Sequence, residues 1–221
     1  MDTAGTAYGL GIIILGYVLG SIPTGYWMGK IAKGIDIRQI GSGSTGATNV
    51  LRAVGKKEAL IVLMADISKG YLPVLLAMYL EQSDILVWNF AYPHMVAVLT
   101  AISALVGHSK SMFLGFTGGK SAATGLGTLL AFDPLGGTIT LATWLLVLYL
   151  WKIVSLASIV AAFACPIAMY WVKAPNAIIG YGLIAFAYVT LRHKSNIGRL
   201  LIGTEPNLAA SKKTDSKENS N

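Results

Sequence analysis

The chain has 221 residues, of which 54% are hydrophobic and 12% charged, and its mean hydropathy is +0.63. A soluble domain of this size carries about 25% charged residues, so the composition excludes an ordinary soluble domain and points to a membrane protein with several apolar segments. The formal net charge of +7 could serve a nucleic acid, but in a membrane chain the position of the charges matters more than their sum, and no nucleic-acid partner is expected. The one cysteine, Cys165, rules out an intrachain disulfide.

The first hydrophobic run covers residues 7–28, long enough to cross a hydrocarbon core of ~30 Å. No basic residue precedes it, so it reads as a retained anchor and not as a cleaved leader. Pro23 and nearby glycines interrupt its end, as is tolerated where the backbone faces protein or water. Next comes a basic, glycine-rich loop over 29–57 that contains GSGSTGATNVLR at 41–52. Small residues let backbone N–H groups approach an anion, and hydroxyls and an arginine add donors. This stretch is read as an oxyanion or phosphate site; a flexible linker fits poorly with its Thr-Asn-x-x-Arg ending.

The second run, 59–80, carries Asp66 and Lys69 three residues apart, on one helix face. A charge inside a membrane costs about 2.5–3.5 kcal/mol or more, so both should face the bundle or an aqueous cavity. They read equally as an ion pair that fixes helix packing and as functional groups. A short acidic loop over 81–89 precedes the third run, 91–106, which empties into GHSKSMFLGFTGGKSAATGLG at 107–127. Residues 120–132 are predicted to form a short helix whose Gly118-Gly119-Lys120 entrance offers free N–H groups to an anion. Asp133-Pro134 makes a turn. Three more runs, 135–151, 154–172 and 176–191, are joined by very short connections and are therefore antiparallel neighbours. Ser155 and Ser158 fall in the first turn of the penultimate helix. The last helix leads to RHKSNIGRLLIGTEP at 192–206, followed by a polar tail expected to be disordered.

With the N-terminus outside and seven crossings, one of them short, every Lys and Arg except Lys69 and Lys173 falls on the cytoplasmic side. That asymmetry obeys the positive-inside rule. The predicted architecture is all-α and polytopic, with residues 1–206 as one integral-membrane domain and 207–221 as a cytoplasmic tail. All three polar stretches then share the inner face and can build a single site.

That site is rich in hydroxyls, amides, lysines and arginines and poor in carboxylates. No metal is expected, since His108 and His193 lack helical i+4 partners. No G-x-S-x-G elbow or Walker A spacing occurs, and no cofactor is implied. The inventory suits phosphorylated anions bound beside the lipid. His193 and Asn196, three apart, can share a face, and His193 can take up a proton. His108 and His94 read as structural, Arg199 as a ligand of lipid or substrate phosphate, and Glu205 as a partner of Arg199.

The three stretches at 41–52, 107–127 and 193–205, in this order and between hydrophobic helices, resemble the cytoplasmic signatures of the bacterial acyl-phosphate:glycerol-3-phosphate acyltransferases, the PlsY family. The resemblance implies a seven-helix inner-membrane enzyme that moves a fatty acyl group from acyl phosphate to the sn-1 hydroxyl of glycerol 3-phosphate. The products would be lysophosphatidic acid and phosphate. It further implies phosphate binding by Ser42 and Arg52, with Thr48 and Asn49 in the same motif. Gly118, Gly119 and Lys120 match the glycine-rich second motif, Ser158 or Ser155 a polar serine of an S-L-x-S segment, and His193 and Asn196 the pair that holds glycerol 3-phosphate. The chain departs from the family pattern at Ser44, at Lys110-Ser111 and at Ser121.

Acyl phosphate is an activated mixed anhydride, so no acyl-enzyme is needed. Acyltransferases that use acyl-CoA or acyl carrier protein depend on a His-x-x-x-x-Asp pair, and no histidine here has Asp five residues on. The competing reading is a transporter for an anionic solute, which Asp66, Lys69 and broken helices would serve. One-sided polar groups and the lack of an inverted repeat weigh against it.

Overall fold

The computed structural model describes residues 3–83 and 93–208. Asp84, within the predicted acidic loop, and the tail from residue 209 onward lie outside them. Among the described residues ten α-helices follow in chain order: α1 (Thr3–Ser21), α2 (Thr24–Lys33), α3 (Ala47–Ala53), α4 (Lys56–Gln82), α5 (Met95–Ser109), α6 (Ala122–Phe132), α7 (Pro134–Trp151), α8 (Val154–Trp171), α9 (Asn176–Arg192) and α10 (Lys194–Leu201). Among the described residues there is no named strand; a single bridge pairs Ser111 with Thr117.

Among the described residues, four helical stretches are long and apolar enough to cross a membrane: Gly5–Lys33, Lys56–Gln82, Pro134–Trp151 and Val154–Trp171. Three further helices, α5, α6 and α9, are apolar but shorter. The first run is not one helix as its hydropathy suggests. It divides into α1 and α2 at Pro23, which has no N–H to donate. At this break the carbonyl of Ile22 accepts from Thr24 N–H at 3.0 Å and from Lys69 Nζ at 2.9 Å. On the α7–α8 hairpin, Tyr149 and Trp151 stand exposed at one end and Tyr170 and Trp171 at the other. Eighteen residues of α8 span ~27 Å, so the two aromatic pairs are spaced as a bilayer's interfaces are.

α1 packs on α5, α4 on α5 and α6, and α8 on α7 and α9. Small residues permit the close α4–α6 crossing: a Cβ on Gly70 would collide with the Thr124 carbonyl, and one on Gly127 with that of Ile67. The main apolar core includes Val74, Ala101, Leu105, Phe132, Met169 and Tyr181. Asp133 caps α7 by accepting from Gly136 N–H at 2.7 Å, with Pro134 at the first helical position.

Asp66 and Lys69 are both buried and form an ion pair of 2.8 Å. Thr24 Oγ1, in the first turn of α2, donates to Asp66 Oδ1 at 2.6 Å, and His108 Nδ1 stands 3.6 Å from the same oxygen. These contacts tie α4 to the broken α1–α2 backbone. A buried pair held by further hydrogen bonds offsets much of its desolvation cost.

Candidate active site

Each polar stretch is fixed by its own local bonds. In the first, Asn49 is buried at the third residue of α3, and its side chain is occupied by the loop. Nδ2 donates to the carbonyls of Ile37, Ile40 and Ser44 at 2.9–3.0 Å, and Oδ1 accepts from Ser42 N–H at 3.1 Å. The loop is thereby curled so that Ser42, Thr48 and Arg52 border a common space. Gly25 of α2 packs directly on the Thr45 carbonyl, where a Cβ would not fit.

In the second stretch, α6 starts only at Ala122, after Ser121 in the left-handed region at φ 64°. The predicted free N–H groups at its entrance are not all free, because Gly119 N–H donates to the His108 carbonyl at 3.1 Å. The His108 ring also fills the space where a Gly119 Cβ would sit, and Arg192 Nη2 donates to the Gly119 carbonyl at 3.2 Å. The glycines serve as a braced platform that sets the position of Lys120.

The third stretch turns sharply between α9 and α10. His193 caps α9, and its Nδ1 lies 2.7 Å from the Val189 carbonyl. A carbonyl only accepts, so Nδ1 carries the proton and Nε2 keeps a lone pair. Asn196 Oδ1 accepts from Lys120 Nζ at 2.5 Å, and its Nδ2 donates to Glu205 Oε1 at 2.6 Å. Glu205 also accepts from Ser155 Oγ at 2.8 Å and from Arg199 Nε at 2.7 Å. Ser158 donates to the Val154 carbonyl and accepts from Trp144 Nε1.

These groups line two adjoining spaces. A shallow basin of about 620 Å³ is bordered by Ser42, Gly118, Gly119, Lys120, Arg192 and Lys194. A deeper cavity of about 490 Å³ shares Ser42, Ser44 and Lys120 with it. Thr48, Asn49, Arg52, Ser155, Ser158, His193, Asn196 and Glu205 surround the cavity's polar part, and α6, α7, α8 and α9 supply an apolar remainder. Ser42, Thr48, Asn49, Arg52, Gly118, Gly119, Lys120, Ser155, Ser158, His193 and Asn196 thus each border one of the two, whereas Arg199 borders neither.

Burial lowers the Lys120 ammonium to about 8; Glu205 opposes this, while Arg199, Arg52 and Arg192 add to it. Burial likewise lowers His193 to about 4, against the pull of the Val189 carbonyl, which favours the charged form. Burial pushes the Glu205 carboxyl upward, but hydrogen bonds from Asn196, Ser155 and Arg199 outweigh it and hold the group below its ordinary range. At neutral pH the site thus holds a charged lysine, a neutral imidazole and a carboxylate. It can neutralise anions, align a hydroxyl and accept a proton.

Sequence reading understated three residues. Glu205 is more than a partner of Arg199, since it joins Asn196 and Ser155 as well. His108 and Arg192 brace Gly119. The signal for Glu205 was its standing as the single carboxylate of residues 192–206; nothing local distinguished the other two.

A glycerol-3-phosphate acyltransferase family model matches residues 10–203. Among similar curated proteins, a glycerol-3-phosphate acyltransferase of Crocosphaera subtropica is 47% identical over 200 residues, covering 89% of this chain and 92% of that one. One of a Nostoc species is 44% identical over 218 residues, covering 94% and 95%. Two solved structures of PlsY, an integral membrane glycerol 3-phosphate acyltransferase, share the fold at 34% identity. Its glycerol 3-phosphate form has a TM-score of 0.81 and covers 91% of this chain and 96% of that one; its lysophosphatidic acid form has a TM-score of 0.80. A likeness this extensive, carried by sequence and fold together, means that the chain belongs to the glycerol-3-phosphate acyltransferase family and is a multi-pass membrane acyltransferase.

Proposed function

We propose that this protein transfers a fatty acyl group from acyl phosphate to the sn-1 hydroxyl of glycerol 3-phosphate, giving lysophosphatidic acid and inorganic phosphate. The observation that carries this reading is a single cavity with Lys120, Arg52, His193 and Asn196 at one part and apolar helix faces at the other. Such a space suits an anionic head joined to a long tail. The adjoining basin, with Lys194 and Arg192 at its border, suits a second, water-soluble anion.

In the proposed reaction the sn-1 oxygen attacks the acyl carbonyl carbon. A new C–O ester bond forms, and the C–O bond to the leaving phosphate breaks. Lys120 and Arg52 neutralise phosphate charge, and Asn196 holds Lys120 in place. The hydroxyl proton passes to Nε2 of His193 and then to the released phosphate. Ser42, Thr48 and Gly118 bind phosphate oxygens, Gly119 acts by holding Lys120 in position, and Ser155 and Ser158 contribute hydroxyls deeper in the cavity. Asn49 acts through the loop that it holds.

The enzyme sits in the bacterial inner membrane with seven crossings, its N-terminus outside and its site facing the cytoplasm. Residues 1–206 form the catalytic domain and 207–221 a cytoplasmic tail. The distribution of Lys and Arg supports this orientation. In a Cys165→Ala background, Lys152→Cys should react with an impermeant thiol reagent only from the inside and Lys173→Cys only from the outside.

The decisive assay gives purified protein acyl phosphate and glycerol 3-phosphate. Phosphate release that needs both substrates, with no turnover when acyl-CoA replaces acyl phosphate, is the expected result. Release from acyl phosphate with no dependence on glycerol 3-phosphate, or equal turnover with acyl-CoA, would overturn the reading.

A further inference from the structure

The apolar part of the cavity has a definite inner limit, and three helices place it at the same depth. On α8, lining residues step from Ser155 at the polar part through Ser158 and Ala161 to Cys165, ten residues or ~15 Å along the axis. On α9 they step from His193 through Val189 to Ala185, eight residues or ~12 Å. On α6 they step from Ser121 through Leu126 to Leu130, nine residues or ~14 Å.

One turn beyond, each helix places a larger buried side chain. Met169 follows Cys165 on α8, Tyr181 precedes Ala185 on α9, and Phe132 follows Leu129 on α6. Tyr181 and Phe132 meet ring to ring at 5.1 Å, and the Tyr181 hydroxyl is hydrogen-bonded to Thr128. Gly182 brings α9 close to Cys165 and Pro166: a Cβ there would lie 3.3 Å from Cys165 Sγ and 3.0 Å from Pro166 Cα. Behind the cavity the packing is continuous, and Met169, Tyr181 and Phe132 belong to one core cluster with Cys165 and Ala185.

We propose that Ala161, Cys165 and Ala185 gauge the length of the acyl chain, with Tyr181, Phe132 and Met169 as the fixed stop. The small side chains leave room for the chain, and the hydrogen-bonded aromatic pair ends it. A depth of ~15 Å is about half a hydrocarbon core of ~30 Å, so the chain extends into one leaflet and no further. The proposal rests on the reading that the acyl tail of the substrate occupies this cavity.

The test measures turnover with acyl phosphates of graded even chain length for the parent and three variants. Ala185→Leu narrows the inner end and should lower activity with the longest accepted chain about tenfold or more, leaving shorter chains near parental rates. Ala161→Leu stands one turn nearer the polar part and should move the cut-off to still shorter chains. Met169→Ala opens the stop and should admit chains longer than the parent accepts. The same variants are probed by thermal stabilisation with lysophosphatidic acids of graded length, which needs no acyl donor. Shifts in the order Ala161→Leu, Ala185→Leu, parent, Met169→Ala support the gauge. Identical length profiles in all four proteins, by rate and by product binding, would overturn it. A parent inactive with every acyl phosphate, yet showing graded product binding, would remove the donor assignment and leave the gauge standing.

Discussion

Lys120 and Asn196, 76 residues apart in sequence, are joined by a hydrogen bond of 2.5 Å from Nζ to Oδ1. The bond fixes the orientation of the Asn196 amide. With Oδ1 on the lysine, Nδ2 faces outward to Glu205, which in turn holds Ser155 of α8 and Arg199 of α10. The second and third polar stretches and the start of α8, far apart in sequence, are thus tied into one network.

Asn196→Ala should leave Lys120 unanchored and Glu205 short of a donor. Turnover is expected to fall about a hundredfold, the size of effect seen when one positioned donor is lost from an active site. Steady-state kinetics with both substrates checks this, and a preserved thermal unfolding profile in detergent shows that the loss is local. Activity within a factor of two of the parent would remove Asn196 from the machinery.

The two shifted groups predict the pH profile. Lys120, lowered to about 8, loses its charge as pH rises through that value, so affinity for anionic substrates should decline in the alkaline range. His193, lowered to about 4, is neutral from about pH 5 upward and becomes protonated, and unable to accept a proton, only below about pH 4. The plot of kcat/KM against pH should therefore be flat between about 5 and 7 and fall on both sides. In Lys120→Arg the charge persists, because a guanidinium keeps its proton above pH 12; the alkaline limb should move upward even where the overall rate drops. An unmoved alkaline limb would assign that pKa to another group.

His193→Gln keeps a polar side chain but removes the ring lone pair. Turnover should drop by about 10²–10⁴, the usual contribution of a general base, while glycerol 3-phosphate binding measured by calorimetry changes by only a few-fold. Unchanged turnover would leave the leaving phosphate itself as the proton acceptor.

Asp66→Ala leaves the Lys69 ammonium buried beside Ile22 with its ion-pair partner gone. Removing one member of a buried pair costs about 3–5 kcal/mol, so the detergent-solubilised variant should unfold at a markedly lower temperature. The double variant Asp66→Ala/Lys69→Met removes both charges and should recover part of the loss. Equal instability of single and double variants would mean that the carboxylate matters chiefly through Thr24, which donates to the same Oδ1.

Hydropathy by itself located the apolar helices to within a few residues, because burial in lipid demands long uninterrupted apolar runs. The turns at Asp133-Pro134 and Lys152 and the starts of α7, α8 and α9 were legible for the same reason. The three polar stretches stood out since glycines, hydroxyls and cations have no cause to cluster between such runs. Pro23 marked an interruption near the end of the first run, but where α1 stops and α2 begins was not legible, because the sequence stays apolar on both sides of it. Nor could local pattern show that Asn49 serves its own loop, that His108 supports Gly119, or that Glu205 joins Asn196 to Ser155. Those roles are pairings across tens of residues, and a pairing of that kind exists only once helix packing has brought its two members within hydrogen-bond range.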